Sequence, residues 1–168
     1  MGFMGVGKGS LARELAKQTG RIAIDSDDLI ESMQNMQVKK IFAKEGEEYF
    51  RNCEKDLSKW MKKSVENTII SLGGGFYHVG NLQKIAHVIY LESSFDAILD
   101  RINSFDNAKN KLKKRPLLQN MAKAKELIND RHPKYLEQAD TVIQTSGKTT
   151  AELAKEIIET LELKQKKD

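Results

Sequence analysis

The chain has 168 residues, 39% of them hydrophobic, so it can bury one ordinary core and is most simply one domain. Its formal net charge of +4 favours anionic ligands without naming one, and its basic residues form no nucleic-acid-binding stripe. No apolar run approaches the ~20 residues of a membrane span, no signal peptide is evident, and the single Cys53 allows no internal disulfide, so a cytoplasmic protein is expected.

Short β-branched segments alternate with longer amphipathic ones along the chain. Strands are predicted at RIAID, NTIISL, AHVIYL and DTVIQT, which are residues 21–25, 67–72, 86–91 and 140–145. Helices are predicted at SLARELAKQTG (10–20), at EEYFRNCEKDLSKWMKKS (47–64) and at 150–163. This alternation predicts an α/β fold, with a mainly parallel sheet flanked by helices on both faces and ligands at the carboxyl ends of the strands.

A polar, lysine-rich segment at about 103–120 fits no predicted element and is too long for an ordinary connection. It contains the densest basic run, KNKLKKRP at 109–116, for which a solvated loop is the simplest alternative. Because long loops in compact domains are usually functional, we expect a lid over the ligand site. Residues 1–168 are expected to form one domain that carries this lid.

The opening residues GFMGVGK (2–8) match the phosphate-binding pattern G-x-x-x-x-G-K and precede a predicted helix. In such a loop, glycines let backbone N–H groups face the phosphates, the helix N-terminus adds a positive dipole, and the lysine reaches the outer phosphates. The candidate nucleotide-binding residues are Gly5, Val6, Gly7, Lys8, Gly9 and Ser10. Three fixed positions are only suggestive when taken alone.

Two aspartates, Asp25 and Asp27, end the next predicted strand two residues apart, so both are expected to point into the crevice beside the loop. One carboxylate can hold Mg²⁺ through water, and the other can accept a proton from an attacking hydroxyl. The alternative interpretation is that Ser26 or Asp27 only caps the helix that follows.

Further motifs follow in the order GEEYFRNCE (46–54), SLGGGF (71–76), KRPLL (114–118) and RHPKYLEQAD (131–140). Together with the loop and the aspartate pair, they make residues 2 to about 145 resemble the shikimate kinase family. The resemblance implies a P-loop kinase fold that transfers the γ-phosphoryl group of ATP to the 3-hydroxyl of shikimate, in chorismate and aromatic amino acid biosynthesis, with Mg²⁺. A monomer that acts on a small molecule is also expected, and the sequence pattern predicts binding to neither nucleic acid nor a membrane.

The same resemblance implies roles for individual residues, with Asp27 as the base and Arg51 and Arg131 as a clamp for the shikimate carboxylate. The implied catalytic residues are Lys8, Asp27 and Arg115, the last of them in the lid. Arg101 and Arg115 are implied to contact the nucleotide, and Asp25 and Ser10 are the metal candidates. The implied substrate-binding residues are Asp27, Arg51, Glu54, Gly74, Gly75 and Arg131.

The residue types suit a small polyol carboxylate, because guanidinium forks bind carboxylates and a carboxylate accepts from hydroxyls. Each motif also has a simpler explanation. Arg51 and Glu54 are spaced as a surface i,i+3 pair, the glycines at 73–75 can merely end a strand, and Arg131 can belong to a turn. Trp60 and Tyr135 are interpreted as packing residues.

Three features depart from the family pattern: no strand precedes the loop, Gly9 replaces a hydroxyl residue after Lys8, and Leu72 precedes the glycines. We therefore expect that the natural chain starts upstream or that its start was assigned late, and that Mg²⁺ is held more weakly. Two other functions stay open. One is another small-metabolite or nucleotide kinase, such as a gluconate or adenylate kinase, and the other is a nucleotide-binding homologue that has lost catalysis.

Overall fold

The structure is a computed structural model that describes residues 1–104, 118 and 120–166. Within these residues, strands and helices alternate as the sequence pattern predicted. The strands are β1 (Ile22–Asp25), β2 (Thr68–Ser71), β3 (Ile89–Glu92) and β4 (Thr141–Gln144). The helices are α1 (Lys8–Thr19), α2 (Ser26–Gln34), α3 (Val38–Ser64), α4 (Phe95–Asn103), α5 (Met121–Gln138) and α6 (Thr150–Thr160), with short 3-10 helices at Phe76–Val79 and Leu82–Lys84.

The described strands form two parallel pairs rather than one continuous sheet. β1 pairs with β2, and β3 pairs with β4, each over four residues. On the other edge of β3, the carbonyl of Met1 accepts the N–H of Leu91 at 2.9 Å, and the amine of Met1 donates to the carbonyl of Ile89. This is the bonding of a parallel strand residue placed beside Tyr90. Met1 therefore occupies one position of an otherwise open strand site.

An apolar cavity of about 260 Å³ lies next to Met1, between β2 and β3. Ile69 and Ile70 line it from β2, and Val88 and Ile89 line it from the side of β3. In the described residues, β2 and β3 do not pair with each other and are separated by this cavity.

The helices cover the strands with their apolar faces. α1 buries Leu11 and Leu15 and packs against α6, whose N-terminus is closed by a capping box of Thr149 and Glu152. Because α1 begins directly after the phosphate-binding loop, this packing also positions the end of the loop. Among the described helices, none is long and apolar enough to cross a membrane.

α3 begins at Val38, earlier than the predicted helix at 47–64, and is kinked at Gly46. Gly46 has φ 85° and ψ 174°, a conformation that interrupts the helix and that essentially only glycine adopts. In the segment after the kink, Met61 is 4% exposed and Trp60 is 44% exposed. The buried apolar face of this segment is therefore formed by Phe50, Cys53, Leu57 and Met61. Trp60 lies outside it, so the interpretation of Trp60 as a packing residue is wrong.

Candidate active site

The glycine-rich opening turns tightly into α1. Gly5 and Gly7 have φ angles of 90° and 105°, which side chains other than glycine rarely allow. Gly7 is the N-cap of α1, so the first N–H groups of the helix lie at the loop. The ammonium of Lys8 donates to the carbonyls of Gly2 at 2.9 Å and Phe3 at 3.2 Å, and it therefore lies across the loop.

A cation from α4 packs against this loop. The guanidinium of Arg101 lies so close to Gly7 that a Cβ there would come within 2.7 Å of Nη2. The same Nη2 donates to the hydroxyl of Thr150, in the first turn of α6, at 3.1 Å. α4 and α6 thus place a positive charge beside the loop, where a phosphate-bearing ligand would lie.

One pocket of about 450 Å³ gathers most of the predicted site residues. The predicted nucleotide-binding residues that line it are Gly5, Gly7, Lys8, Gly9, Ser10 and Arg101, and the other predicted residues are Asp25, Asp27, Arg51, Glu54, Gly74, Gly75 and Arg131. Val6 is 2% exposed, and its side chain packs in the core. Arg115 and most of the predicted lid at about 103–120 lie outside the described residues.

Asp25 and Asp27 both line the pocket, but their carboxylates have different partners. Oδ1 of Asp25 accepts the N–H of Asp27 at 2.9 Å and caps α2. The alternative that Ser26 or Asp27 is the cap is therefore wrong, and the hydroxyl of Ser26 instead accepts the N–H of Gly73 at 2.8 Å. Oδ1 of Asp27 is buried without a hydrogen-bond partner among the described residues. This burial and the nearby charge of Asp25 raise the pKa of Asp27 to about 6.

Two glutamates of its own helix hold Arg51. Its Nη1 donates to Glu54 at 2.8 Å, and its Nε and Nη2 donate to the same oxygen of Glu47 at 3.1 Å and 2.7 Å. Glu54 is 1% exposed, and burial raises its pKa although Arg51 opposes the shift. The pair joins a buried Glu54 to an Arg51 that is only 16% exposed, so the alternative of a surface pair is wrong.

The carbonyl of Gly74 ties the end of β2 to α5. It accepts Nη1 of Arg131 at 3.1 Å and the hydroxyl of Tyr135 at 2.6 Å. Tyr135 is fully buried, so the prediction that it is a packing residue is correct for its aromatic ring. Its hydroxyl also orients the glycine turn, and Arg131 reaches the pocket from the same helix.

The neighbouring glycines allow charged side chains to approach the backbone closely. A Cβ at Gly73 would overlap the carboxylate of Asp27, and a Cβ at Gly75 would overlap the guanidinium of Arg51. These glycines are therefore required for close approach, which the alternative of a simple strand end does not explain.

Four buried polar atoms of the pocket lack hydrogen-bond partners among the described residues. They are Oδ1 of Asp27, Oε1 of Glu54, Oγ of Ser71 and Nε of Arg131. A buried polar group without a partner costs about 1–3 kcal/mol, so such groups are rare unless a ligand or water satisfies them. The set contains both acceptors and donors, which suits a ligand that carries hydroxyl and acidic groups.

A single protein-family model matches nearly the whole chain. Residues 4–162 match the family model described as "Shikimate kinase". The chain belongs to the shikimate kinase family. A shikimate kinase of Helicobacter hepaticus is 34% identical to this family member, over 96% of this chain and 93% of that protein. A shikimate kinase of Caldanaerobacter subterraneus subsp. tengcongensis is 37% identical, over 94% and 91%.

Solved structures of shikimate kinases resemble this family member as a whole. The Acinetobacter baumannii shikimate kinase, solved in complex with shikimate, superposes with a TM-score of 0.79 at 31% identity, covering 95% of this chain and 89% of that one. The predicted fold class and family are confirmed. The roles of single residues stay predictions.

Several pocket residues of this family member were not predicted from the sequence. Val38 and Phe42 line the pocket from the part of α3 that the pattern missed, and Ser71 lines it from the end of β2. Glu47 precedes Arg51 by one helical turn, and this i,i+4 spacing was a signal that could have identified the pair. The contact between Tyr135 and Gly74 had no such local signal.

Proposed function

We propose that this protein phosphorylates the 3-hydroxyl of shikimate with ATP. The proposal assigns one specific reaction to a chain whose family is already known. The observation that carries the proposal is one pocket lined by a phosphate-binding loop, by the arginines Arg51 and Arg131, and by Asp27, whose buried Oδ1 has no hydrogen-bond partner among the described residues. A relative in the same family was solved in complex with shikimate. We also propose that residues 1–168 form a single kinase domain that acts as a monomer in the cytoplasm.

ATP would bind with its phosphates on the loop at residues 2–8 and on the N-terminus of α1. Lys8 already crosses this loop, and a phosphate oxygen would take the place of the carbonyls that it now contacts. Arg101 adds a second cation, and Arg115 is proposed to add a third from the lid. These charges would neutralise the phosphates as the terminal group is transferred.

Shikimate would lie against the glycine turn, with its carboxylate between Arg51 and Arg131 and its hydroxyls at Asp27. Glu54 is buried against Arg51 and would keep that guanidinium in place. The backbone of Gly74 and Gly75 would contact the ring of the substrate. Binding energy from the carboxylate would thus align the hydroxyl with the phosphate.

Asp27 is proposed as the base. With a pKa of about 6, its carboxylate is mostly ionised at neutral pH and can accept the proton of the 3-hydroxyl. The hydroxyl oxygen then forms a bond to the γ-phosphorus, and the bond from that phosphorus to the bridging oxygen of ADP breaks. Burial of the carboxylate and the charge of Asp25 bring its pKa closer to neutral pH.

Mg²⁺ would neutralise the phosphates, and Asp25 and Ser10 are the residues proposed to hold it. No three His, Cys, Asp or Glu side chains converge on a metal position in the part of the chain described. This fits magnesium, which is usually bound by one or two carboxylates together with water and substrate phosphates. One oxygen of Asp25 caps α2, so its other oxygen is the one proposed to face a metal-bound water.

Replacing Gly9 tests this magnesium site. Among the described residues, a Cβ at Gly9 would meet only Nη1 of Arg13, at 3.5 Å, so a serine fits there without a clash. We expect Gly9→Ser to lower the Mg²⁺ concentration needed for half-maximal activity and for tight ATP binding, because it supplies a hydroxyl ligand. If Mg²⁺ titrations of the two proteins superimpose in both measurements, position 9 is not at the metal.

The activity itself is tested by ADP release with shikimate, gluconate and AMP as acceptors. We expect release with shikimate alone. Turnover of gluconate or AMP without shikimate would assign another small-molecule kinase. ATP binding without release of ADP on any acceptor would indicate a binding protein that has lost catalysis.

A further inference from the structure

Glu47 lies beside the proposed carboxylate clamp, and the proposed reaction does not use it. One of its oxygens accepts both Nε and Nη2 of Arg51, at 3.1 Å and 2.7 Å. Its pKa is lowered, chiefly by this hydrogen bond and also by the charges of His78 and Arg131. Glu47 therefore places a carboxylate in the field of both clamp arginines.

The guanidinium of Arg51 has few positions left for a second carboxylate. Its Nη1 is bonded to Glu54, and its two terminal nitrogens lie against the backbone of Gly75, where a Cβ would overlap them. The edge formed by Nε and Nη2 offers the two parallel N–H groups that a carboxylate binds best. Glu47 occupies that edge.

Glu47 is not needed to hold Arg51 in place. Glu54 is 1% exposed and already pairs with the guanidinium, whereas Glu47 is 63% exposed. An exposed i,i+4 ion pair stabilises a protein very little, so it is readily exchanged. Glu47 also follows the non-helical Gly46 directly, and it is thus the first residue of the second segment of α3.

We propose that Glu47 is an internal competitor of the substrate, which occupies the Nε–Nη2 edge of Arg51 and is displaced when a ligand carboxylate binds there. The inference rests on the proposed function, because it takes Arg51 as the residue that binds the shikimate carboxylate. Glu47 then lowers the affinity for acidic ligands and leaves the affinity for uncharged ligands unaffected.

The test is Glu47→Gln, which removes the charge and retains the shape. We expect the Kd and KM for shikimate to fall about two- to five-fold, the range expected for releasing an exposed ion pair, with the KM for ATP unchanged. The methyl ester of shikimate, which lacks the charge, should bind both proteins equally. Glu48→Gln is the matched control, because Glu48 is the next residue and is exposed. It should change none of these values.

A gain in affinity is a result that structural damage does not produce. A Kd for shikimate that is unchanged or raised in Glu47→Gln would overturn the proposal. So would an equal gain in an Arg51→Lys background, since the effect must pass through the guanidinium edge. If the parent protein fails to use shikimate, the proposed function fails and the competitor role falls with it. If the parent turns shikimate over and Glu47→Gln binds it no better, only the competitor role fails.

Discussion

At the scale of single residues, Asp27 meets two opposing demands. One of its oxygens is buried without a partner among the described residues, and Asp25 adds a like charge nearby. The ionised form is therefore unfavourable in the folded protein. The same ionised form is the one that a base requires, so stability is reduced here in favour of the proposed chemistry.

Asp27→Asn separates these two demands. Because the pKa of Asp27 is raised from 3.8 to about 6, its contribution to folding is fully present below about pH 4 and is lost as the pH rises through about 6. The uncharged asparagine avoids this loss. We expect the variant to lose turnover, yet to exceed the parent in unfolding free energy by about 1–3 kcal/mol at pH 8.

Chemical denaturation of both proteins at pH 4 and pH 8 measures the effect. The difference in unfolding free energy should nearly vanish at pH 4. An equal difference at both values would show that the charge of Asp27 is not its cause, and a normal kcat would exclude Asp27 as the base.

The two clamp arginines are expected to act on one substrate only. Arg51→Ala and Arg131→Ala should each raise the KM for shikimate by about 30-fold or more, because a buried charge pair that loses one partner costs about 2–5 kcal/mol. The KM for ATP should stay nearly constant. Arg21→Ala is the control, since Arg21 lines the cavity beside Met1 rather than the site pocket. An unchanged KM for shikimate in both variants would remove the clamp from the mechanism.

At the scale of elements, the kink in α3 joins two walls of the pocket. Val38 and Phe42 line it from the segment before Gly46, and Arg51 and Glu54 line it from the segment after. The angle at Gly46 therefore determines how the apolar and charged walls face each other. The helical pattern at 47–64 was recognised from its buried stripe, whereas the earlier segment lies beyond a glycine that interrupts that periodicity.

Gly46→Ala tests this arrangement. Its φ of 85° and ψ of 174° are unfavourable for alanine, so we expect about 1–3 kcal/mol of destabilisation and a raised KM for shikimate. Gly147→Ala is the matched control. Gly147 also has a positive φ, 74°, and open space around its Cβ position, but it lies in the turn after β4. Gly147→Ala should lower Tm without changing the KM for shikimate. If neither variant changes this KM, the kink does not shape the pocket.

At the scale of the whole molecule, the two strand pairs leave a strand position open between β2 and β3. Met1 makes the ladder bonds of a parallel strand there, and the cavity beside it is apolar. Burial also lowers the pKa of the Met1 amine to about 5, so a charged amine is unfavourable at this place. An extended apolar segment joined to Met1 by a peptide bond would remove that charge and fill the cavity.

We expect that about six to eight β-branched residues joined to Met1, a common strand length, raise Tm by pairing with β2 and β3. A segment of equal length made of glycine and serine is the control, because it cannot fill the apolar cavity of about 260 Å³. Thermal unfolding gives the Tm of the parent protein and of the two extended proteins. A Tm unchanged by the β-branched segment would mean that the open position does not limit stability.

The sequence by itself determined the phosphate-binding loop, the parallel α/β alternation and the family. These depend on glycine turns, on hydrophobic periodicity and on motif order, all of which are properties of neighbouring residues. The sequence also identified many of the residues that line the pocket, such as Asp27 and Arg51, because their motifs follow a predicted strand or lie on a predicted helix.

Only the tertiary structure decided how these residues contact one another. The bond between Tyr135 and Gly74 joins residues 61 positions apart, and the carboxylate of Asp27 is buried by the glycine turn that follows a different strand. The pairing of Arg51 with Glu47 and Glu54 follows from their spacing on one helix, but the burial of Glu54 depends on which face of that helix packs into the pocket. Burial and the pKa shifts that it causes arise when distant segments pack together, and local sequence carries no direct record of that packing.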